Sequence, residues 1–196
     1  VFNVVTGGAA AGAAMVEHAG IDKIQFVGSG ATAKKVLASA AQSLKPCGLE
    51  LGGKSAVIIF ADADLQEAAR RGMSGAISAN GQGCVNGTRL LVERPVYDTY
   101  LQMIGAMAPH VKIGDPLDPA SVMGPVISED ALARMLGAIK TSVSEGARLV
   151  TGGERLGGDF ANGSFLPMTI LADVRNDTEI AQHEVFGPVL TITPFD

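Results

Sequence analysis

The sequence predicts an α/β fold whose largely parallel sheet is flanked by helices, and three observations carry that prediction. Short strand-like runs at residues 24–27, 56–60 and 88–93 alternate with longer Ala-rich or amphipathic stretches, the rhythm of strand–helix–strand units. The run at 56–60 is continuously apolar, as befits a strand buried on both faces. Residues suited to opening a helix, namely Asp62, Asp64, Pro95 and Ser128, stand where the helical stretches begin.

Taken in order, residues 1–6 read as a strand, 6–12 as a Gly/Ala-rich turn, and the stretch through His18 as a short helix. Residues 24–27 form a second strand, 31–43 a helix and 47–51 a third strand, giving two strand–helix–strand steps. After Gly52-Gly53 the pattern restarts with the strand at 56–60 and a helix from Leu65 towards Ala79, which Asp62 and Asp64 are placed to cap. A strand at 88–93 leads to a helix carrying Tyr97, Tyr100, Leu101 and Ile104, with Pro95 in its first turn. Residues 114–119 are a turn-rich linker, and Ser128-Glu129-Asp130 opens a helix towards Gly146. Residues 149–151 are a strand, 152–162 a Gly-rich loop, 165–171 an extended segment, and 189–195 a strand-like end.

Composition excludes several classes. Net charge is −5, and no basic patch is interleaved with aromatics, so nucleic acid is not an expected partner. No apolar run approaches the length of a membrane-spanning helix, and no charged-then-apolar leader opens the chain; the expected compartment is the cytoplasm. Charged residues make up 18% and hydrophobic residues 47%, so some apolar surface is expected to face a partner segment. The chain opens on Val1 and both ends look strand-like, which reads as a piece of something longer. Neither the histidines nor the cysteines have the close spacing of a metal site.

The chemistry concentrates in two segments. Cys84 lies in Asn80-Gly81-Gln82-Gly83-Cys84-Val85-Asn86-Gly87-Thr88-Arg89, and Glu50 lies in Leu49-Glu50-Leu51-Gly52-Gly53-Lys54-Ser55. A cysteine reacts as its thiolate and needs a partly exposed, dipole-rich setting. Residues behind Cys84, if they open a helix, would aim free N–H groups at the sulfur. The second cysteine, Cys47, follows Pro46 in a strand-like stretch and reads as a small buried apolar residue. Lys54 reads either as an electropositive contribution to the site or as a solvated or structural lysine, and His183 as a solvated loop residue.

These segments, with Glu184-Val185-Phe186-Gly187-Pro188-Val189, resemble in order and spacing the signatures of the NAD(P)-dependent aldehyde dehydrogenase family. The resemblance runs along essentially the whole chain but spans only the middle part of a family member. It implies that residues 1–52 are the end of a Rossmann-like dinucleotide-binding domain and 53–196 a catalytic domain truncated at its C-terminus, with the active site in the cleft between them. It also implies oxidation of an aldehyde to a carboxylic acid through a thioester, with Cys84 as nucleophile and Glu50 as the base that activates water. A feeble base at neutral pH, Glu50 would be helped by burial. The Cys84 N–H would serve as one oxyanion donor; the family's second donor, an asparagine far upstream, is not in this chain.

For the cofactor, NAD or NADP, the resemblance carries over Gly28 and Ser29 to the pyrophosphate turn, and Glu184 and Phe186 to the nicotinamide ribose and ring. Leu51, beside the base, joins these contacts. The family's turn pattern is broken here by Gly30 and Ala33. A homodimer or homotetramer acting on a small-molecule aldehyde is what the family implies. Two alternatives are a dehydrogenase that passes its acyl group to coenzyme A, against which Glu50 argues, and a non-catalytic structural domain of the same fold.

Overall fold

A computed structural model describes all 196 residues, which divide into two compact units, Val1–Gly52 and Gly53–Asp196. The smaller unit contains α1 (Ala9–Glu17), β1 (Ile24–Gly28), α2 (Gly30–Ala41) and β2 (Cys47–Leu51). β1 and β2 pair in parallel, with Val27 opposite Glu50 and Gly28 opposite Leu51. α2 is the crossover between them, and Ser29 caps it by accepting a hydrogen bond from the Thr32 N–H. Its core is slight: Ile24, Val36 and Ala40 are buried, with Val16, Ile21, Phe26 and Cys47 packed beside them. Lys45 is buried yet satisfied, because its ammonium donates to the carbonyls of Val16 and His18 at 2.6 and 2.8 Å. These are carbonyls at the carboxyl end of α1, where a lysine is favoured on both hydrogen-bonding and dipole grounds.

Two expectations fail in this unit. Residues 1–6 form no strand, and residues 9–12, expected to be a turn, belong to α1. A strand is stable only when its N–H and C=O groups meet a neighbouring strand, and the two-stranded sheet pairs β1 with β2 alone. Val1, Phe2, Val4 and Val5 are instead exposed.

The larger unit is built on a five-stranded sheet of order β3-β4-β7-β6-β5, comprising β3 (Ala56–Ile59), β4 (Arg89–Glu93), β5 (Arg148–Thr151), β6 (Thr169–Ala172) and β7 (Val189–Phe195). All neighbours are parallel except β5 and β6. Successive residues of β6 point to opposite faces and enter different cores, Ile170 one and Leu171 the other. The first core packs α3 (Leu65–Ile77) and α4 (Arg94–Met107) against Leu90, Val92, Leu190 and Ile192; Met73, Tyr100 and Ile104 fill it. The second packs α5 (Glu129–Ser144) and the single-turn α6 (Glu179–Gln182) against Leu171 and Val189. β6 is buried along its whole length, the pattern of a strand covered on both faces.

Asp64 caps α3 through the N–H groups of Gln66 and Glu67, Ser128 caps α5 through Ala131, and Pro95 sits in the first turn of α4. α3 ends at Ile77, short of Ala79, because Ala79 and Asn80 take positive φ values of 49° and 55° within a short 3-10 turn, Ser78–Gly81. Tyr97 of α4 and Arg148 of β5 both bind Asp173, just past the end of β6. The tyrosine hydroxyl donates to its carboxylate at 2.8 Å and accepts from its N–H at 2.9 Å, while Arg148 Nε donates at 2.8 Å.

Candidate active site

In the larger unit, three stretches singled out by their chemistry enter adjacent parallel strands at the same end. Lys54 precedes β3, Cys84 precedes β4 and Glu184 precedes β7, and the register Ala56–Arg89–Thr191 fixes those amino ends side by side. Cys84 occupies a tight turn in which the Asn86 N–H donates to the Gly83 carbonyl at 3.1 Å, and its thiol is free and exposed. The next regular element is β4, so no helix opens behind Cys84, contrary to the expectation of free helical N–H groups there.

Side chains hold this loop from several directions. Asn80 Nδ2 donates to the Pro125 carbonyl and its Oδ1 accepts from the Gly124 N–H, both at 3.0 Å. Gln82 Oε1 accepts from the Ile127 N–H at 2.9 Å, and Asn86 Nδ2 donates to the Ser78 carbonyl at 3.0 Å. Gly81 has φ +72°, and a Cβ there would lie 2.0 Å from the Gly187 carbonyl oxygen, so only glycine allows this approach to the loop that carries Glu184. Gly87 is also a packing glycine: a Cβ on it would lie 2.5 Å from the Val57 side chain.

Glu184 and Lys54 are half-buried, and Glu184 Oε1, Lys54 Nζ and Arg89 Nε are buried atoms without a hydrogen-bond partner in the protein. Burial and the Arg89 charge lower the Lys54 pKa from 10.5 to about 8, with the Glu184 carboxylate opposing them. Lys54 is thus no solvated lysine. Its burial was missed in sequence because a lysine in a Gly-Gly-Lys-Ser string gives no periodicity from which burial can be read. Phe186 is partly exposed with φ +54°, and His183 is exposed at the end of α6, its Nδ1 3.3 Å from the Glu179 carbonyl.

The smaller unit gathers its candidates at the opposite end of its strands. Gly28 closes β1 and Ser29 follows it, Glu50 and Leu51 close β2, and the register sets Gly28 beside Leu51. Ligands of doubly wound sheets bind at such carboxyl ends. The Ser29 hydroxyl donates to Thr32 Oγ1 at 3.1 Å, and a Cβ on Gly30 would meet nothing within 4 Å, which leaves the amino end of α2 open to an approaching phosphate. Glu50 is exposed, so the burial expected of a base is not provided here. Val85 is 85% exposed, and Cys47 is half-buried rather than buried.

Each unit by itself offers one feature that suits part of a nucleotide: in residues 1–52 an open helix amino end for phosphate, and in residues 53–196 an orphaned buried carboxylate oxygen at Glu184 that a hydroxyl can satisfy. No group of three or more His, Cys, Asp or Glu side chains is placed to hold a metal ion. No helix is long and apolar enough to cross a membrane.

A small parallel sheet with an open helix amino end at its carboxyl edge, followed by an α/β unit presenting a free thiol, defines the class: a two-unit α/β protein with an exposed cysteine. Residues 1–196 match the aldehyde dehydrogenase family throughout, and the chain belongs to that family. It is 40% identical to an aldehyde dehydrogenase from Bacillus cereus, with a TM-score of 0.90 over 95% of this chain and 37% of that one. An NAD-dependent aldehyde dehydrogenase from Sinorhizobium meliloti is 38% identical, with a TM-score of 0.93 over 100% of this chain and 39% of that one. A betaine aldehyde dehydrogenase from Staphylococcus aureus, solved with NAD+ and a BME-modified cysteine, is 33% identical, with a TM-score of 0.91 over 94% of this chain and 38% of that one. The chain thus spans well under half the length of these structures.

Proposed function

We propose that this chain carries the reacting groups of an enzyme that oxidises an aldehyde to a carboxylic acid with NAD or NADP. Residues 1–52 contribute to cofactor binding and 53–196 carry the thiol. The observation that supports this most is the exposed Cys84 thiol, free on a turn that enters β4 and tied by neighbouring backbone to the loop of Glu184.

Aldehyde carbon gives up hydride poorly until a nucleophile makes it tetrahedral. The Cys84 sulfur adds to the carbonyl, and the Cys84 N–H stabilises the resulting oxyanion. Loss of such a donor typically costs about 10²–10³ in rate. NAD or NADP, when bound, supplies the hydride acceptor. Glu50 takes a proton from the water that cleaves the acyl–sulfur bond, which returns the free thiol and releases the acid. Gly28 and Ser29 would hold pyrophosphate, Glu184 the nicotinamide ribose hydroxyls, and Phe186 and Leu51 the ring's surroundings. In the proposed setting the enzyme is a homo-oligomer in the cytoplasm.

These 196 residues alone are expected to form no NADH, because a two-stranded sheet offers only part of a dinucleotide site. The test replaces the matching residues of the Bacillus cereus enzyme with this sequence and follows NADH at 340 nm. NADH formation that disappears in Cys84→Ser supports the reading. A folded chimera that binds NAD but yields no NADH, or whose Cys84→Ser variant stays active, contradicts it.

A further inference from the structure

The loop of Cys84 is held in a conformation that its backbone alone would not choose. Ala79 and Asn80 are consecutive non-glycine residues in the left-handed region, followed by Gly81 at φ +72°. A non-glycine residue there is strained and persists only when its surroundings hold it. The surroundings are specific. A side-chain amide is both donor and acceptor, and Asn80 uses both halves, donating to Pro125 and accepting from Gly124 in a partly buried setting. Gln82 repeats the bond two residues on, to Ile127. Between them, Gly81 rests against the Gly187 carbonyl, two residues from its neighbours Val185 and Val189 and three from Glu184.

We propose that Asn80 is a positioning residue for the Cys84 thiol: its amide fastens the Cys84 loop to residues 124–125 and so keeps that loop seated against the Gly187 segment that follows Glu184. This rests on reading Cys84 as the nucleophile. The proposed nucleophile and the proposed cofactor contact, Cys84 and Glu184, arrive on separate loops at the amino ends of β4 and β7. No helix amino end fixes Cys84, so side-chain clamps supply the rigidity that preorganised chemistry requires.

The test uses the whole chain in a Cys47→Ser background, with a nitroxide on Cys84 and amide exchange read by mass spectrometry. Asn80→Gly keeps the backbone freedom that the left-handed turn needs while removing both bonds. Its nitroxide spectrum is expected to narrow, and exchange at Gly124 and across residues 185–189 to rise by about tenfold, as loss of partly buried hydrogen bonds implies. Asn80→Asp, which retains the acceptor and loses the donor, should fall between. Gln82→Ala should loosen Ile127 most. A spectrum and exchange rates within about twofold of the parent for Asn80→Gly, at unchanged far-UV circular dichroism, overturn the proposal. If Asn80→Gly does not fold, Asn80→Asp decides: parent-like label mobility overturns the proposal and intermediate mobility supports it. None of these readouts needs catalysis, so failure of the dehydrogenase reading shows separately, as a Cys84 thiol without acyl chemistry.

Discussion

The two units place their chemistry at opposite ends of parallel strands. In residues 1–52 the candidate groups lie at the carboxyl ends of β1 and β2, where α2 begins and its free N–H groups face outward. In residues 53–196 they lie at the amino ends of β3, β4 and β7, while α3 and α4 begin at the other ends of β3 and β4. A helix amino end can hold an anion with backbone alone. A loop at the strands' amino end has no such dipole and must be braced by side chains, which is the part Asn80, Gln82 and Asn86 play around Cys84. The units differ as sharply in packing. The larger has two extensive cores, the smaller only Ile24, Val36 and Ala40 with a few half-buried neighbours.

The largest expected effect sets those cores against each other. Ile192→Ala, the last residue of the fully buried stretch of β7, should cost about 2–5 kcal/mol in a urea melt. Val36→Ala should cost about 1–2 kcal/mol, and exchange should localise its effect to residues 1–52. Equal losses, or a Val36→Ala effect that spreads into β4 and β7, would break the comparison.

A smaller effect has the opposite sign. Folding moves the Lys54 ammonium into a site that lowers its pKa to about 8. Below that pH both the folded and unfolded chains carry the proton, and the folded chain bears the full penalty of the buried charge. Between about 8 and 10.5 the folded chain is neutral while the unfolded one still binds a proton, so stability rises with pH. Lys54→Met should therefore stabilise the chain by up to about 3 kcal/mol at pH 7. The gain should shrink through pH 9 and vanish near pH 11, as melts across that range would reveal. A destabilised Lys54→Met at pH 7 would mean that Lys54 contributes more by binding Glu184 than it loses by burial. The smallest effect belongs to the smaller unit: Ser29→Ala removes the cap of α2 and should cost about 1 kcal/mol, seen as faster exchange in residues 30–33.

Much of this was legible in the sequence wherever local chemistry decides structure. Asp64, Pro95 and Ser128 open the helices they were expected to open, because caps and first-turn prolines act within a few residues of themselves. Residues 1–6 were misread because strand composition says nothing about whether a partner strand is within reach. The end of α3 was misread because the left-handed pair Ala79–Asn80 is held by residues 124–125, distant in sequence. At the candidate site, Cys84 and Glu184 stood out as chemical types within ordered motifs. Asn80 stands in the motif without a role of its own, and Lys54 is left open between an electropositive contribution to the site and a solvated or structural lysine, since clamping and burial are tertiary properties that neither side chain announces.

The proposed function has Cys84 and Glu50 act on one acyl group, and the most direct measurement follows the lifetime of that group. The chain is acylated with a limiting activated ester at pH 7.5, and the adduct is located by peptide mapping and timed by intact mass. The account predicts an acyl group on Cys84 rather than Cys47, cleared at least about a hundredfold faster in the parent than in Glu50→Gln, as expected for loss of a positioned general base. Equal clearance in the two proteins, or an adduct shared evenly between the cysteines, would contradict it.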